Sequence, residues 1–224
     1  AYVRAHDFSV TAAQRMCQSQ LRAIMSADDQ FAATMQLLSD RGVLSDTLVI
    51  FSSDNGFMWG EHGRTEKFVP YEPSIRVPLL VRWPGHFTAG VDSTRIASYL
   101  DILPTMLEAA GVTLPTDAPR MDGESLLQPS SRTSAFAEYY QDATNGDIPT
   151  WKMVRTPTAK YVQIYDSNGA VVFREYYNLV SDPAENTNLL GDANTANDPS
   201  ASTITSMRNL LNIYATCVGT VCVR

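Results

Sequence analysis

Asp54 and Asn55 put a carboxylate and an amide carbonyl on adjacent residues, and both are hard oxygen donors of the kind that Ca²⁺ or Mg²⁺ prefers. Neighbouring loop residues can direct both at one ion, but two donors do not fill six or more coordination positions. The rest of the shell must come from elsewhere in the protein or from a substrate. Asp54-Asn55-Gly56 is also an ordinary turn sequence, so the tripeptide alone leaves both readings open. Lys67 and His62 stand in the same loop. Taken alone, Lys67 is one solvated lysine, and His62 either faces a substrate or hydrogen-bonds neighbouring backbone. Cys217 and Cys222 enclose four residues, VGTV, a spacing that fits a small terminal disulfide loop or two unpaired small hydrophobes. A disulfide there favours an extracytoplasmic setting, secreted or periplasmic. Cys17 reads as a packed thiol, and His6 and His86 have no motif around them.

The elements that must position these residues are legible in the apolar pattern. Thr11 with Gln14 forms a weak capping box ahead of Met16, Leu21, Ile24 and Met25, which predicts a first helix. Ser26 starts a second, with Asp28 and Asp29 at its positive end, the stripe Phe31, Met35, Leu38, and Gly42 as its stop. The run TLVIFS from Thr47 to Ser52 has no polar alternation, the signature of a strand buried on both faces of a sheet. Val77 to Arg82, VPLLVR, reads as a further strand, closed by Trp83, Pro84 and Gly85. Asp54 to Gly56 therefore leaves a strand at its carboxyl end, where ligands of open α/β sheets bind. Asp101 is expected to cap a helix with Pro104 in its first turn and Gly111 at its end.

From Ser134 the character changes to short strands: 135–140, 151–156, 161–165 and 171–177, separated by turn signals at Asn145-Gly146 and Asn168-Gly169. That spacing predicts a small antiparallel sheet. A polar connection, 181–202, leads to a last helix whose face Ile204, Met207, Leu210, Leu211 and Tyr214 should lie on that sheet. The expected organisation is α/β over 1–130 and an antiparallel β subdomain with a terminal helix over 131–224.

Composition bounds the function. The chain has 224 residues, 44% apolar and 18% charged, enough to bury a core in one large or two small domains. Its formal net charge of −7 opposes association with a nucleic-acid backbone or an anionic membrane. No apolar run approaches the roughly 20 residues of a membrane span. The start, AYVRAHDFSV, has no basic and apolar signal-peptide pattern, and the chain contains no N-x-Ser/Thr sequon.

The segment from Thr47 to Gly85 resembles a known family. The strand followed by SDNG, GEHG, a lysine and YE-x-SIRVPLLVR-x-PG is similar to the second half of the sulfatase signature, within the alkaline phosphatase superfamily. SYLDILPTMLEAAG, MDGESLL and FREYYNLVSDPAENTNLL continue the likeness in order, from about Asp28 to about Leu190. The resemblance implies an alkaline-phosphatase-like sheet with flanking helices, and a sulfuric ester hydrolase that acts on a sulfate ester, with sulfated sugars favoured. It assigns Asp54 and Asn55 as calcium ligands, and Lys67 as the contact to a sulfate oxygen and the leaving-group oxygen. There a fixed ammonium stabilises the charge that builds as the S–O bond breaks. His62 is a further catalytic candidate, and Glu72 and Arg76 read as a structural ion pair or loop brace.

The family's nucleophile is a Cys or Ser in a C/S-x-P/A-x-R motif, oxidised to formylglycine, whose hydrated aldehyde attacks sulfur. None of the three cysteines fits that motif, and the paired aspartates of the amino-terminal metal strand are not found; Asp28-Asp29 reads as a helix cap. The expectation is a carboxyl-terminal half, inactive by itself, with an amino-terminal half of the same protein as its partner. Two other readings stay open: a phosphodiesterase or phosphonate monoester hydrolase of the same superfamily, and a non-catalytic binding module with this fold.

Overall fold

A computed structural model describes residues 9–142 and 148–222. They divide into two compact units: one holds the described residues up to Lys67 together with Pro73–Gly90, the other Phe68–Glu72 and the described residues from Val91 onward.

The first unit opens with α1, Val10–Asp40, a single 31-residue helix where two were expected. Its cap is Ser9, whose side chain accepts from the Ala12 backbone N–H, rather than Thr11. No proline or glycine interrupts the stretch around Ser26, so an internal serine and two aspartates lack the means to break the helix, and Asp28 and Asp29 lie within it. Its end follows the expectation. Gly42, at φ 68°, donates to the Ser39 carbonyl and Val43 to the Leu38 carbonyl, the pairing that satisfies the last turn through a left-handed residue.

Strand β1, Val49–Ser52, pairs antiparallel with a later strand, Leu79–Arg82, with Val49 opposite Arg82 and Ser52 opposite Leu79. Burial on both faces is not what these strands show: Phe51 is 37% and Leu80 58% exposed. A two-stranded pair carries no second layer, and apolar side chains state what a strand suits rather than what covers it. Between them lie a short antiparallel ribbon, β2 (Met58–Trp59) with β3 (Thr65–Glu66), and a single helical turn, α2 (Glu72–Ile75). The Leu79–Arg82 strand is thus β4.

The second unit carries α3, Ile102–Ala109, and a four-stranded antiparallel sheet in the order β5 (Ala135–Tyr139), β6 (Trp151–Arg155), β7 (Ala159–Tyr165), β8 (Val171–Asn178). These are the four strands the alternation predicts. Asn168-Gly169 makes the expected turn, with Gly169 at φ 80°, whereas Asn145-Gly146 lies outside the described residues. Helix α4, Ala201–Tyr214, seats Met207 and Leu211 on Val154, Ala159 and Tyr161 of the sheet, with Ile204, Leu210 and Tyr214 around them. Asp101 sits at the cap position of α3 without capping it. Its carboxylate instead closes a capping box with Ser98, accepts from the Glu124 backbone N–H and accepts from Nη1 and Nη2 of Arg132 in a buried pair. A buried guanidinium supplies a planar, charged fork that outcompetes a helix N–H. Cys217 and Cys222 form a disulfide, and Cys17 is free.

Candidate active site

Gly56 sets the course of the loop after β1. Its N–H donates to the Ser74 carbonyl at 2.9 Å, and a Cβ there would stand 1.9 Å from the Pro73 carbonyl oxygen. Only glycine lets the loop pass so close to α2. Immediately before it, Ser53 Oγ donates to the Asn55 carbonyl at 2.9 Å, and Asn55 Nδ2 donates to the Gly56 carbonyl at 2.7 Å. With its amide nitrogen so engaged, Asn55 turns Oδ1 outward as an acceptor.

Lys67 answers it. The Nζ ammonium donates to Asn55 Oδ1 at 2.7 Å and lies 3.9 Å from Asp54 Oδ2, with the Asp54 carboxylate largely exposed. Two oxygens bearing one negative charge and one ammonium thus converge at the carboxyl end of β1. Asp54 and Asn55 fit a calcium ion as part of its shell: both are hard oxygens and both face the same space, but they furnish two positions only. Among the described residues, no three His, Cys, Asp or Glu side chains gather into a metal-binding group.

His62 lies on a tight turn, Glu61–Gly63, with its own φ at 54°. The turn is fixed by Glu61, whose carboxylate accepts from the Trp59 backbone N–H at 2.5 Å, while Trp59 packs on Phe57 with ring centroids 4.8 Å apart. His62, Glu66 and Phe68 all hold left-handed backbone without being glycine, within seven residues of chain. Strain of this kind gathers at functional sites.

Residues 60–210 match the family described as N-sulphoglucosamine sulphohydrolase, C-terminal, and residues 2–112 match the family described as Sulfatase. The chain belongs to the sulfatase family. It is 29% identical over 189 residues to the N-acetylglucosamine-6-O-sulfatase of Bacteroides thetaiotaomicron, covering 82% of this chain and 33% of that sulfatase. To human arylsulfatase K it is 36% identical over 160 residues, covering 66% of this chain and 28% of that one. Among solved structures it resembles BT4656 in complex with its substrate D-glucosamine-2-N,6-O-disulfate, at 29% identity and a TM-score of 0.72, covering 84% of this chain and 38% of that one. A phosphonate monoester hydrolase of Agrobacterium radiobacter follows at 30% identity and 0.69, covering 86% and 40%. The chain therefore spans about a third of the length of the curated sulfatases it matches, and its mixed α/β fold is theirs.

Within the second unit the structure adds residues the sequence reading did not single out. Glu72 is a brace: its carboxylate reaches Lys160 at 2.8 Å and Arg155 at 3.1 Å. Burial alone would raise its carboxyl, yet the Lys160 ammonium and Arg155 guanidinium hold it below the ordinary range. Glu175 is a buried carboxyl, which burial pushes up to about 7 while the negative charge of Glu185 adds to the shift. Tyr71 donates its hydroxyl to Glu175 at 3.4 Å. A lysine inside the apolar run AKYVQIY is the one sequence signal that could have exposed this cluster, because buried lysines demand partners.

Proposed function

We propose that this chain forms the carboxyl-terminal part of a sulfuric ester hydrolase, with residues 1–130 belonging to its catalytic domain and 131–224 to a small β subdomain. The convergence of Lys67 Nζ on Asn55 Oδ1 and Asp54 Oδ2 carries the reading. In it, Asp54 and Asn55 supply two oxygens to Ca²⁺, and the Lys67 ammonium holds a sulfate oxygen and the leaving-group oxygen, where negative charge accumulates as the ester breaks. Calcium, when bound, neutralises and orients the sulfate, and a formylglycine from the amino-terminal part of the protein serves as nucleophile. Lys67 is suited to its task because it is half-buried and aimed by Asn55 before a substrate arrives, so little reorganisation is needed. His62, five residues earlier on the same loop, is proposed to touch the substrate.

A sulfated sugar is the proposed substrate class, supported by relatives that act on N-acetylglucosamine 6-O-sulfate or bind a glucosamine disulfate. The second reading is phosphonate monoester hydrolysis, favoured by the likeness to the Agrobacterium enzyme, since the same ammonium and hard oxygens serve a phosphoryl group. We place the protein outside the cytoplasm, in keeping with the Cys217–Cys222 disulfide.

The test is an aryl sulfate assay. The 224-residue chain by itself should show no turnover of nitrocatechol sulfate, and supplying the amino-terminal part should create it. Calcium-dependent hydrolysis by the chain alone would refute the half-enzyme reading. Preference for a phosphonate monoester in the completed enzyme would move the assignment to the second one.

A further inference from the structure

Met58 is fully buried, while the residues on either side of it, Phe57 and Trp59, are only half-buried. Successive side chains along a strand point to opposite faces, so the β2–β3 ribbon turns Met58 inward and presents Phe57 and Trp59 together on its open face. Thr65, opposite Trp59 in the register, shares that face and is exposed. The two rings pack on each other with centroids 4.8 Å apart, tilted by 52°. Glu61 accepts the Trp59 backbone N–H at 2.5 Å and so fixes the backbone that carries the indole.

The place of this pair in the loop gives it a task. Met58 with Glu66 and Trp59 with Thr65 are the rungs of the ribbon, and its base is closed by the 2.7 Å bond from Lys67 Nζ to Asn55 Oδ1. Phe57 lies two residues from Asn55, about 7 Å along an extended chain. A sulfate ester and the ring that bears it together span such a distance. All of these residues belong to the first unit. Both rings keep apolar area in water that the inward course of Met58 removes from it. A pyranose has a face made only of C–H groups, with its hydroxyls at the rim. The negative face of an aromatic ring attracts those polarised hydrogens, and its flat apolar surface covers them.

We infer that Phe57 and Trp59 form the subsite for the pyranose that carries the sulfate ester, stacked on its C–H face, and that they select ring-bearing over open-chain sulfate esters. The inference rests on the assignment of Lys67 to the sulfate and leaving-group oxygens. Neither ring touches the reacting atoms. The part of the substrate they hold is the same before and during the reaction, so their contribution is to KM and not to kcat.

Kinetics of the completed enzyme on N-acetylglucosamine 6-O-sulfate, with inorganic sulfate as a competing inhibitor, test this. Trp59→Ala should raise KM about tenfold with kcat little changed, the size of one lost aromatic contact. Inorganic sulfate fills the sulfate position and has no ring, so its inhibition constant should not move. Trp59→Phe should recover most of the loss. A weakening of inorganic sulfate in step with the rise in KM would overturn the inference, because the rings would then do no more than hold the loop; an unchanged KM would overturn it as well. Phe57→Leu, which keeps apolar bulk and removes the ring, carries the same comparison if Trp59→Ala does not accumulate as folded protein. Should the completed enzyme hydrolyse nitrocatechol sulfate and neither bind nor turn over the sugar sulfate, a pyranose is the wrong ring and the inference falls. Failure of the Lys67 assignment has its own mark: Lys67→Ala would leave both kcat and inhibition by inorganic sulfate untouched, whatever the Trp59 variants do.

Discussion

The chemistry proposed for this chain gathers at one ammonium, Lys67 Nζ, and two oxygens, Asn55 Oδ1 and Asp54 Oδ2. In the completed enzyme Lys67→Ala should lower the aryl sulfate rate by about 10² to 10³, the size of a lost oxyanion donor; a loss under tenfold would deny it contact with the leaving group. Asp54 and Asn55 bring one negative charge between them, too little for a tight calcium site without further donors. Calorimetry on the 224-residue chain should therefore show no saturable binding at micromolar Ca²⁺, and Asp54→Ala should strip metal from the completed enzyme. Micromolar binding by the chain that survives Asp54→Ala would place the site elsewhere. Glu175 predicts a pH effect. Tyr71, Tyr177 and Glu185 face it, and its carboxyl titrates near 7 in the folded state against 4.5 ordinarily. The neutral form is the one the fold favours, so stability should fall as pH rises from about 4.5 to about 7, by at most about 3 kcal/mol, and level off above. Glu175→Gln should flatten that slope in denaturant titrations taken across the range.

At the scale of elements, the loop after β1 depends on a glycine for reasons of space. A methyl group at Gly56 would collide with the Pro73 carbonyl, a backbone atom that cannot swing aside. Gly56→Ala should cost about 1 to 3 kcal/mol in stability and shift the Asp54-Asn55 loop, so that activity in the completed enzyme falls along with thermal midpoint. An unchanged midpoint would mean that α2 gives way more readily than its hydrogen bond to Gly56 implies. The four-stranded sheet is sturdier by construction: β7 is buried along most of its length, and α4 covers it with Met207 and Leu211.

For the whole molecule, the apolar surface left on the first unit is the feature with consequences. Phe51 and Leu80 on the β1–β4 pair, and Leu21, Ile24, Met25 and Leu37 along α1, are exposed. Patches of that kind mark interfaces or aggregation sites in soluble proteins, and strand edges invite pairing. Light scattering of the purified chain should accordingly show self-association, relieved when the amino-terminal part is supplied. A stable monomer of 24.7 kDa without any addition would show that these residues need no cover.

The sequence by itself determined the local elements and singled out the loop proposed to carry the site. The strands of the second unit, the turn at Asn168-Gly169, the glycine stops at Gly42 and Gly111 and the amphipathic face of α4 follow from period, propensity and left-handed backbone, all readable over a few residues. The ordered run from SDNG to DPAEN likewise points to the sulfatase family from the sequence alone. Tertiary structure decided the rest. It joined two expected helices into α1, because a cap residue inside a helix has no power to stop it once neighbouring turns propagate. It left β1 and β4 with exposed apolar side chains, since burial depends on a partner layer that composition cannot name. It gave the Asp101 carboxylate to Arg132 and Glu72 to Lys160 and Arg155, pairings between residues 31 to 88 positions apart that no local pattern encodes. Above all it turned Asn55 Oδ1 toward Lys67, because convergence of distant side chains is a property of the packed chain and not of its order.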